Sequence, residues 1–235
     1  MSPAESIRIF IGFDPRETVA YHVLVQSLIE HASLPLTITP LALPHLATVL
    51  TRPRDPLQSS DFAFSRFLTP YLSHYAGWSL FLDCDMVVMR DIGELWRLRD
   101  ESYAVQVVKH HHVPAETQKF LGQAQTRYAK KNWSSVVLFN NARCLALTPE
   151  YVNRASGLEL HQFKWLASDA EIGALPAPWN FLVGYDAGAV DDIALLHYTS
   201  GGPYFSAYRD CAHAAAWFKY RERLLATSDS AQVEA

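Results

Sequence analysis

The sequence predicts a single α/β domain, a central sheet flanked by helices, and three observations carry that prediction. Apolar runs of strand length alternate with segments of helical spacing early in the chain. The polar residues suited to chemistry gather where those runs end, as they do at the ligand-binding edge of open α/β sheets. No repeat, low-complexity segment or linker divides the 235 residues, a length that suits one large domain.

The elements follow in order. Residues 7–13 (IRIFIGF) read as a buried strand that leaves the sheet into Asp14-Pro15-Arg16-Glu17. Thr18 caps a helix in which Tyr21, Leu24, Val25, Leu28 and Ile29 recur at helical spacing. Residues 36–43, set between prolines, form a second strand, and its return through a helix predicts a right-handed βαβ unit. Residues 51–57, rich in Pro, Arg and Asp, form an exposed loop. Ser59, Ser60 and Asp61 then supply caps for a helix carrying Phe62, Arg66, Phe67, Leu68, Tyr71 and Leu72. Residues 78–82 (WSLFL) are the next buried strand and run directly into Asp83-Cys84-Asp85. Residues 103–108 exit into Lys109-His110-His111-His112, residues 134–139 into Asn140-Asn141, and residues 194–198 into Thr199-Ser200-Gly201-Gly202. A terminal amphipathic helix covers 207–225, which closes the domain at 1–225 and leaves 226–235 as a flexible tail.

Composition narrows the function. With 49% hydrophobic and 19% charged residues the chain can bury a substantial core and is not disordered. A net charge of -4 provides no broad basic field, so nucleic acid is not an expected partner. The cysteines Cys84, Cys144 and Cys211 are spaced as neither a disulfide framework nor a C-x-x-C metal site. They read as reduced thiols of a cytoplasmic protein. No leader with a proper apolar region is visible, and no run approaches the roughly 20 apolar residues of a membrane span. The expectation is a soluble protein, with peripheral contact to a membrane still compatible.

The acidic triplet is the main chemical signal. In extended chain, residues i and i+2 face the same side, so Asp83 and Asp85 would present two carboxylates together. Hard oxygen ligands of this kind suit Mg²⁺ or Mn²⁺ with phosphate oxygens completing the shell. Such pairs arise by chance, and Asp169/Glu171 is a second one here. Context separates the two, because only Asp83/Asp85 is delivered by a buried strand to the sheet edge.

At these residues the chain resembles the glycogenin-type glycosyltransferases (glycosyltransferase family 8 and its bacterial relatives). The resemblance spans most of residues 7–204. Gly12-Phe13-Asp14 resembles the family's first nucleotide-contacting turn. Ser65-Arg66-Phe67-Leu68-Thr69-Pro70-Tyr71-Leu72 is similar to its helix with a donor-reaching arginine. Leu80-Phe81-Leu82-Asp83-Cys84-Asp85-Met86-Val87 resembles its Asp-x-Asp strand. Trp133-Ser134-Ser135-Val136-Val137-Leu138-Phe139-Asn140 resembles its small-residue strand beside the donor sugar. Leu175-Pro176 with Trp179-Asn180, and then His197-Tyr198-Thr199, are similar to its two later motifs.

The resemblance implies a GT-A-type, Rossmann-like domain with a mixed, mostly parallel sheet. It implies a metal-dependent transferase that moves a sugar from a nucleotide sugar, a UDP-sugar, to a glycan or glycolipid acceptor with retention of configuration. Asp83, Asp85 and His197 would hold Mn²⁺ or Mg²⁺. Phe13, Asp14, Arg66, Asp83, Cys84, Lys109, Asn140, Gly201 and Gly202 would meet the donor. Arg66 and Asp169 would act on the transferring group, Asp169 as a positioning or stabilising carboxylate. The chain departs from the family where Gly201-Gly202-Pro203-Tyr204 replaces a segment with a phosphate-gripping lysine. Two other readings stand beside this one. A haloacid-dehalogenase-like phosphatase would use Asp83 and Asp85 with Asp191-Asp192 as its later acidic pair, and a nucleotide-sugar-binding pseudoenzyme would bind without turnover.

Overall fold

A computed structural model describes residues 5–55, 58–111, 118–119, 123–124 and 129–226. In chain order the strands are β1 (Ile7–Gly12), β2 (Leu36–Leu41), β3 (Trp78–Leu82), β4 (Met86–Val88), β5 (Val105–Val107), β6 (Gln118–Lys119), β7 (Gln123–Ala124), β8 (Val136–Asn140), β9 (Ile172–Ala174), β10 (Phe181–Leu182) and β11 (Leu195–His197). The helices are α1 (Thr18–Glu30), α2 (Thr69–Leu72), α3 (Ile92–Arg97), α4 (Pro149–Arg154), α5 (Gly157–His161) and α6 (Ala214–Leu225). The predicted tail from residue 227 onward lies outside the described residues, as does His112.

The architecture is α/β. Six strands form a mixed central sheet in the order β2-β1-β3-β8-β5-β9. β1 pairs in parallel with β2 and β3, and β9 with β5, whereas β8 runs antiparallel to both neighbours. The predicted β-α-β start is therefore observed as β1-α1-β2. β1 and β3 are nearly continuous apolar runs because both of their faces are covered. β6 and β7 pair with each other as a two-stranded antiparallel ribbon. A third sheet holds β10-β11-β4, with β11 antiparallel to β4. One buried cluster packs around the large sheet. A second packs Val23 of α1 and Trp217 and Tyr220 of α6 against Val87 and Leu196 of the small sheet.

The chain leaves the large sheet at Leu82 and enters the small one at Met86. Asp83-Cys84-Asp85 is the entire crossing. The two carboxylates therefore lie where the sheets meet, between strands that are themselves buried.

Two predicted helices change form. The segment 59–72 is not one helix: turns lead into a 3-10 segment, Ser65–Leu68, and then the single turn of α2. Pro70 has no N–H to give to Arg66, so a continuous α-helical ladder cannot cross it. The terminal helix begins at Ala214 rather than 207, after His213 takes a left-handed conformation (φ 58°). No helix among the described residues is long and apolar enough to cross a membrane.

Gly12, at the end of β1, is required by packing. A Cβ there would lie 2.3 Å from ring carbons of Phe62. Gly12→Ala should therefore force Phe62 aside and cost about 1–3 kcal/mol, read as a lower denaturation midpoint. An unchanged midpoint would show that this contact relaxes freely.

Candidate metal and donor site

The site is assembled where the two sheets meet. Asp83 holds its place through its backbone N–H, which donates to the Ser135 carbonyl at 3.0 Å. The Asp85 carbonyl accepts from the Tyr198 N–H at 2.9 Å, immediately beyond β11. Within the small sheet His197 is registered against Met86, so the imidazole arrives beside the acidic crossing. One ligand atom from each of Asp83, Asp85 and His197 falls within 4.8 Å of the others. Asp85 and His197 are buried and Asp83 is nearly so.

Asn180 settles which nitrogen of His197 faces this group. The Asn180 amide nitrogen donates to the Ser135 hydroxyl oxygen at 2.8 Å and to the Asn132 carbonyl at 3.3 Å. Its oxygen is left to accept from His197 Nδ1–H at 2.9 Å. His197 Nε2 then faces Asp85 Oδ1, 3.4 Å away. With Asp83 beside them, this nitrogen and carboxylate form a group of ligand atoms that could hold a cation. Two carboxylates and one imidazole fit Mn²⁺ better than Mg²⁺, which prefers oxygen alone. Asn180 supplies the outer-shell bond that orients such a histidine.

Arg66 is buried and reaches the same place. Its Nη1 lies 2.8 Å from Asp83 Oδ1 and donates to the Ser134 carbonyl at 2.7 Å, while Nε donates to the Phe62 carbonyl at 3.3 Å. The guanidinium also lies over the Phe81 ring, 5.0 Å from its centroid. Its bonds therefore brace the acidic crossing from within the protein.

The other expected residues fall into different groups. Phe13 stands beside Asp14 at the end of β1, its ring packed edge-on to Tyr21. The Asp14 carboxylate is buried and engaged: it accepts from Arg16 Nε and Nη2, from the Arg16 backbone and from the Asp61 N–H at 3.0 Å. It cross-links the turn after β1 to the 58–61 segment, so any nucleotide contact by its carboxylate must compete with these bonds. Lys109 lies with its ammonium 5.8 Å from the Trp133 ring centroid, and Lys130 approaches the same ring at 5.8 Å. Asp169 is exposed and ion-paired to Lys130 at 2.5 Å. The Glu171 carboxylate accepts from the Ala167 and Ser168 N–H groups and so closes a turn.

Two expectations need correction, and a third residue is engaged in its own turn. Asn140 is not at the site: β8 runs antiparallel to β3, so Val136 pairs with Leu82 while Asn140 pairs with Trp78 at the far end of the sheet. There its amide donates to Glu101 at 2.9 Å. Cys84 faces away from the two aspartates and is wholly buried, so its side chain is not turned toward a donor. Burial pushes its thiol well up, with the nearby Glu17 charge adding to the effect. Gly201, at φ 128° a conformation suited to glycine, spends its N–H on the Tyr198 carbonyl at 2.8 Å. That N–H is engaged within the turn. Gly202 is buried beside it.

Residues that sequence reasoning did not assign to the site are Asn180, Asn132, Lys130, Glu17 and Tyr204. Asn180 was visible within a motif, but only its bond to His197 reveals its role. The acidic pair Asp191-Asp192 is exposed on the turn before β11, and the metal-competent group among the described residues does not include it.

No family model matches the sequence. Protein CDI of Arabidopsis thaliana is 44% identical over 229 residues, covering 94% of this chain and 88% of that protein. Among solved structures, the apo form of the bifunctional glycosyltransferase WbbM matches with a TM-score of 0.67 at 15% identity, over 99% of this chain and 52% of that one. The glycosyltransferase GlyE of Streptococcus pneumoniae TIGR4 matches with a TM-score of 0.62 at 15% identity, over 94% of this chain and 62% of that one. The galactosyltransferase LgtC, solved with donor and acceptor sugar analogues, matches with a TM-score of 0.54 at 13% identity, over 96% and 99% of the two chains. The chain thus spans about half the length of the WbbM chain and less than two thirds of GlyE. These likenesses establish a GT-A-type fold.

Two outcomes follow from the geometry. Asn180→Ala should release His197 and lower Mn²⁺ affinity roughly 10- to 100-fold, measured by titration calorimetry; an unchanged affinity would remove His197 from the ligand set. Asp14 bears on acid stability. Burial alone would raise its carboxyl, but the Arg16 side chain, then the Arg16 and Asp61 N–H groups, outweigh burial and hold it below the usual carboxylate range. A depressed folded value means that its stabilisation is complete above the unfolded carboxyl value of about 3.9 and is lost as pH falls through the folded value. The stability gap between wild type and Asp14→Asn should therefore narrow below about pH 4. A gap independent of pH would contradict this.

Proposed function

Because the chain belongs to the family of Protein CDI of Arabidopsis thaliana and has a GT-A-type fold, we propose that it is a metal-dependent glycosyltransferase. It moves a sugar from a nucleotide-sugar donor, a UDP-sugar, to a glycan or glycolipid acceptor, with retention of configuration as in the glycogenin-type enzymes. The observation that carries this reading is the Asp83, Asp85 and His197 group, with Asn180 bonded to Nδ1 so that Nε2 faces Asp85. LgtC, whose structure holds donor and acceptor sugar analogues, supports the reading through its shared architecture.

Asp83, Asp85 and His197 hold Mn²⁺, or Mg²⁺ less well. The ion, when bound, neutralises the charge that grows on the diphosphate as it leaves. Arg66 holds Asp83 in place and adds positive charge next to it. The Phe13-Asp14 turn offers backbone and an aromatic edge to the base or ribose, and the Gly201-Gly202 turn lets the diphosphate approach closely. Lys109 and Lys130 place two ammonium groups around Trp133, on the segment that leads into Ser134 and Ser135. Asp169 acts as a positioning carboxylate whose charge is moderated by Lys130. The free cysteines Cys84, Cys144 and Cys211 support a protein that works in the reducing cytoplasm.

Purified protein incubated with UDP-, GDP- and CMP-sugars should release nucleotide slowly from one UDP-sugar, and only with Mn²⁺. Asp85→Asn should reduce that rate by at least about a hundredfold. Absence of both nucleotide release and any Mn²⁺-dependent thermal stabilisation by UDP would sink the proposal.

A further inference from the structure

Behind the acidic crossing, on the side away from Asp83 and Asp85, one buried carboxylate links the turn after β1, the crossing and the turn after β11. Glu17 is 1% exposed. One of its oxygens accepts from the Tyr204 hydroxyl at 2.6 Å. The other lies 3.9 Å from Cys84 Sγ, the middle residue of the crossing. Glu17 itself ends the 3-10 turn, Pro15–Glu17, that follows Phe13-Asp14.

Tyr204 is equally well placed. It closes the turn that begins at Gly201, and its N-terminal neighbours Gly201, Gly202 and Pro203 are buried. A Cβ on Gly202 would lie 2.4 Å from the Tyr204 ring, so the ring lies directly on that turn. The ring also packs against Trp217 of α6, with centroids 5.7 Å apart. Burial, with the Glu17 charge as the next cause, keeps the Tyr204 hydroxyl protonated and able to donate. A buried carboxylate is costly unless hydrogen bonds hold it. Here those bonds run to the turn after β11 and to the back of the crossing, not to a neighbouring loop without a role.

We propose that Glu17 and Tyr204 are positioning residues for a nucleoside diphosphate: their hydrogen bond fixes the 201–204 turn against the rear of the acidic crossing. The proposal rests on the transferase reading and deepens it. His197 is held separately, by the β4–β11 pairing and by Asn180. The tether therefore governs the diphosphate more than the ion. Loss of it should leave the metal ligands in place and loosen the turn to which the proposed function assigns the diphosphate.

The test uses wild type, Tyr204→Phe, Glu17→Gln and Glu17→Ala, each checked by thermal melting. Calorimetry reads Mn²⁺ alone and then UDP at saturating Mn²⁺. Tyr204→Phe and Glu17→Ala should weaken UDP about tenfold while changing Mn²⁺ affinity by less than about threefold. Glu17→Gln should retain most of the UDP affinity, because its carboxamide oxygen still accepts from Tyr204 and its NH₂ still faces Cys84. A purely structural role would lower melting temperatures and leave UDP affinity of the folded protein at the wild-type value, which would overturn the positioning role alone. Wild type that melts cooperatively yet binds neither Mn²⁺ nor UDP would overturn the transferase reading and this proposal with it. If Tyr204→Phe does not fold, Glu17→Ala against Glu17→Gln decides by the same comparison.

Discussion

The antiparallel pairing of β4 with β11 is the constraint on which the rest of the site depends. Its register sets His197 opposite Met86, one residue beyond Asp85. A slip of one residue would turn the imidazole to the other face of the small sheet. The neighbouring bonds reinforce that register from both ends: Met89 N–H donates to Ala194 and Tyr198 N–H to Asp85. Asp85 and His197, 112 residues apart in sequence, are thus brought into one metal-competent group by backbone hydrogen bonds, before any side chain contributes.

Around this frame the protein gathers charge that it could not bury alone. Asp14, Glu17 and Asp85 are buried, with Asp83 nearly so. Arg16 answers Asp14 and Arg66 answers Asp83. Removing one partner of a buried pair costs about 3–5 kcal/mol, a large part of the 5–15 kcal/mol that holds a typical domain together. Arg66 therefore has a folding role whatever it does toward a ligand. Asn180 completes the pattern by spending both ends of one amide on site-bearing segments: the oxygen on His197, the nitrogen on Ser135 and Asn132.

The fold and the active edge differ in how much of each could be read from sequence. β1, α1, β2, β3, β5, β8 and β11 stand close to their expected places because each lies within an apolar or periodic run of five residues or more. β4, β9 and β10, at two or three residues, do not sit in an apolar run that was read as a strand. α4 and α5 carried a signal that went unused, Thr148 before Pro149 and the Ser156–Glu159 capping box. The 59–72 segment misled because its aromatic spacing was helical while Pro70 interrupted the hydrogen bonds.

By itself the sequence determined the α/β class and the paired carboxylates at the end of a buried strand. Both depend on local alternation and apolar runs, which the chain states directly. Only the tertiary structure decided which polar residues share a space. Strand direction did this for Asn140, which sits after an apolar run like Asp83 but at the opposite end of the sheet because β8 is antiparallel. Long-range hydrogen bonds did it for Asn180, Glu17 and Tyr204, whose partners lie 17 to 187 residues away. Periodicity reports which face a residue takes within its own strand; it carries no information about the direction of a neighbouring strand or the partner across a turn.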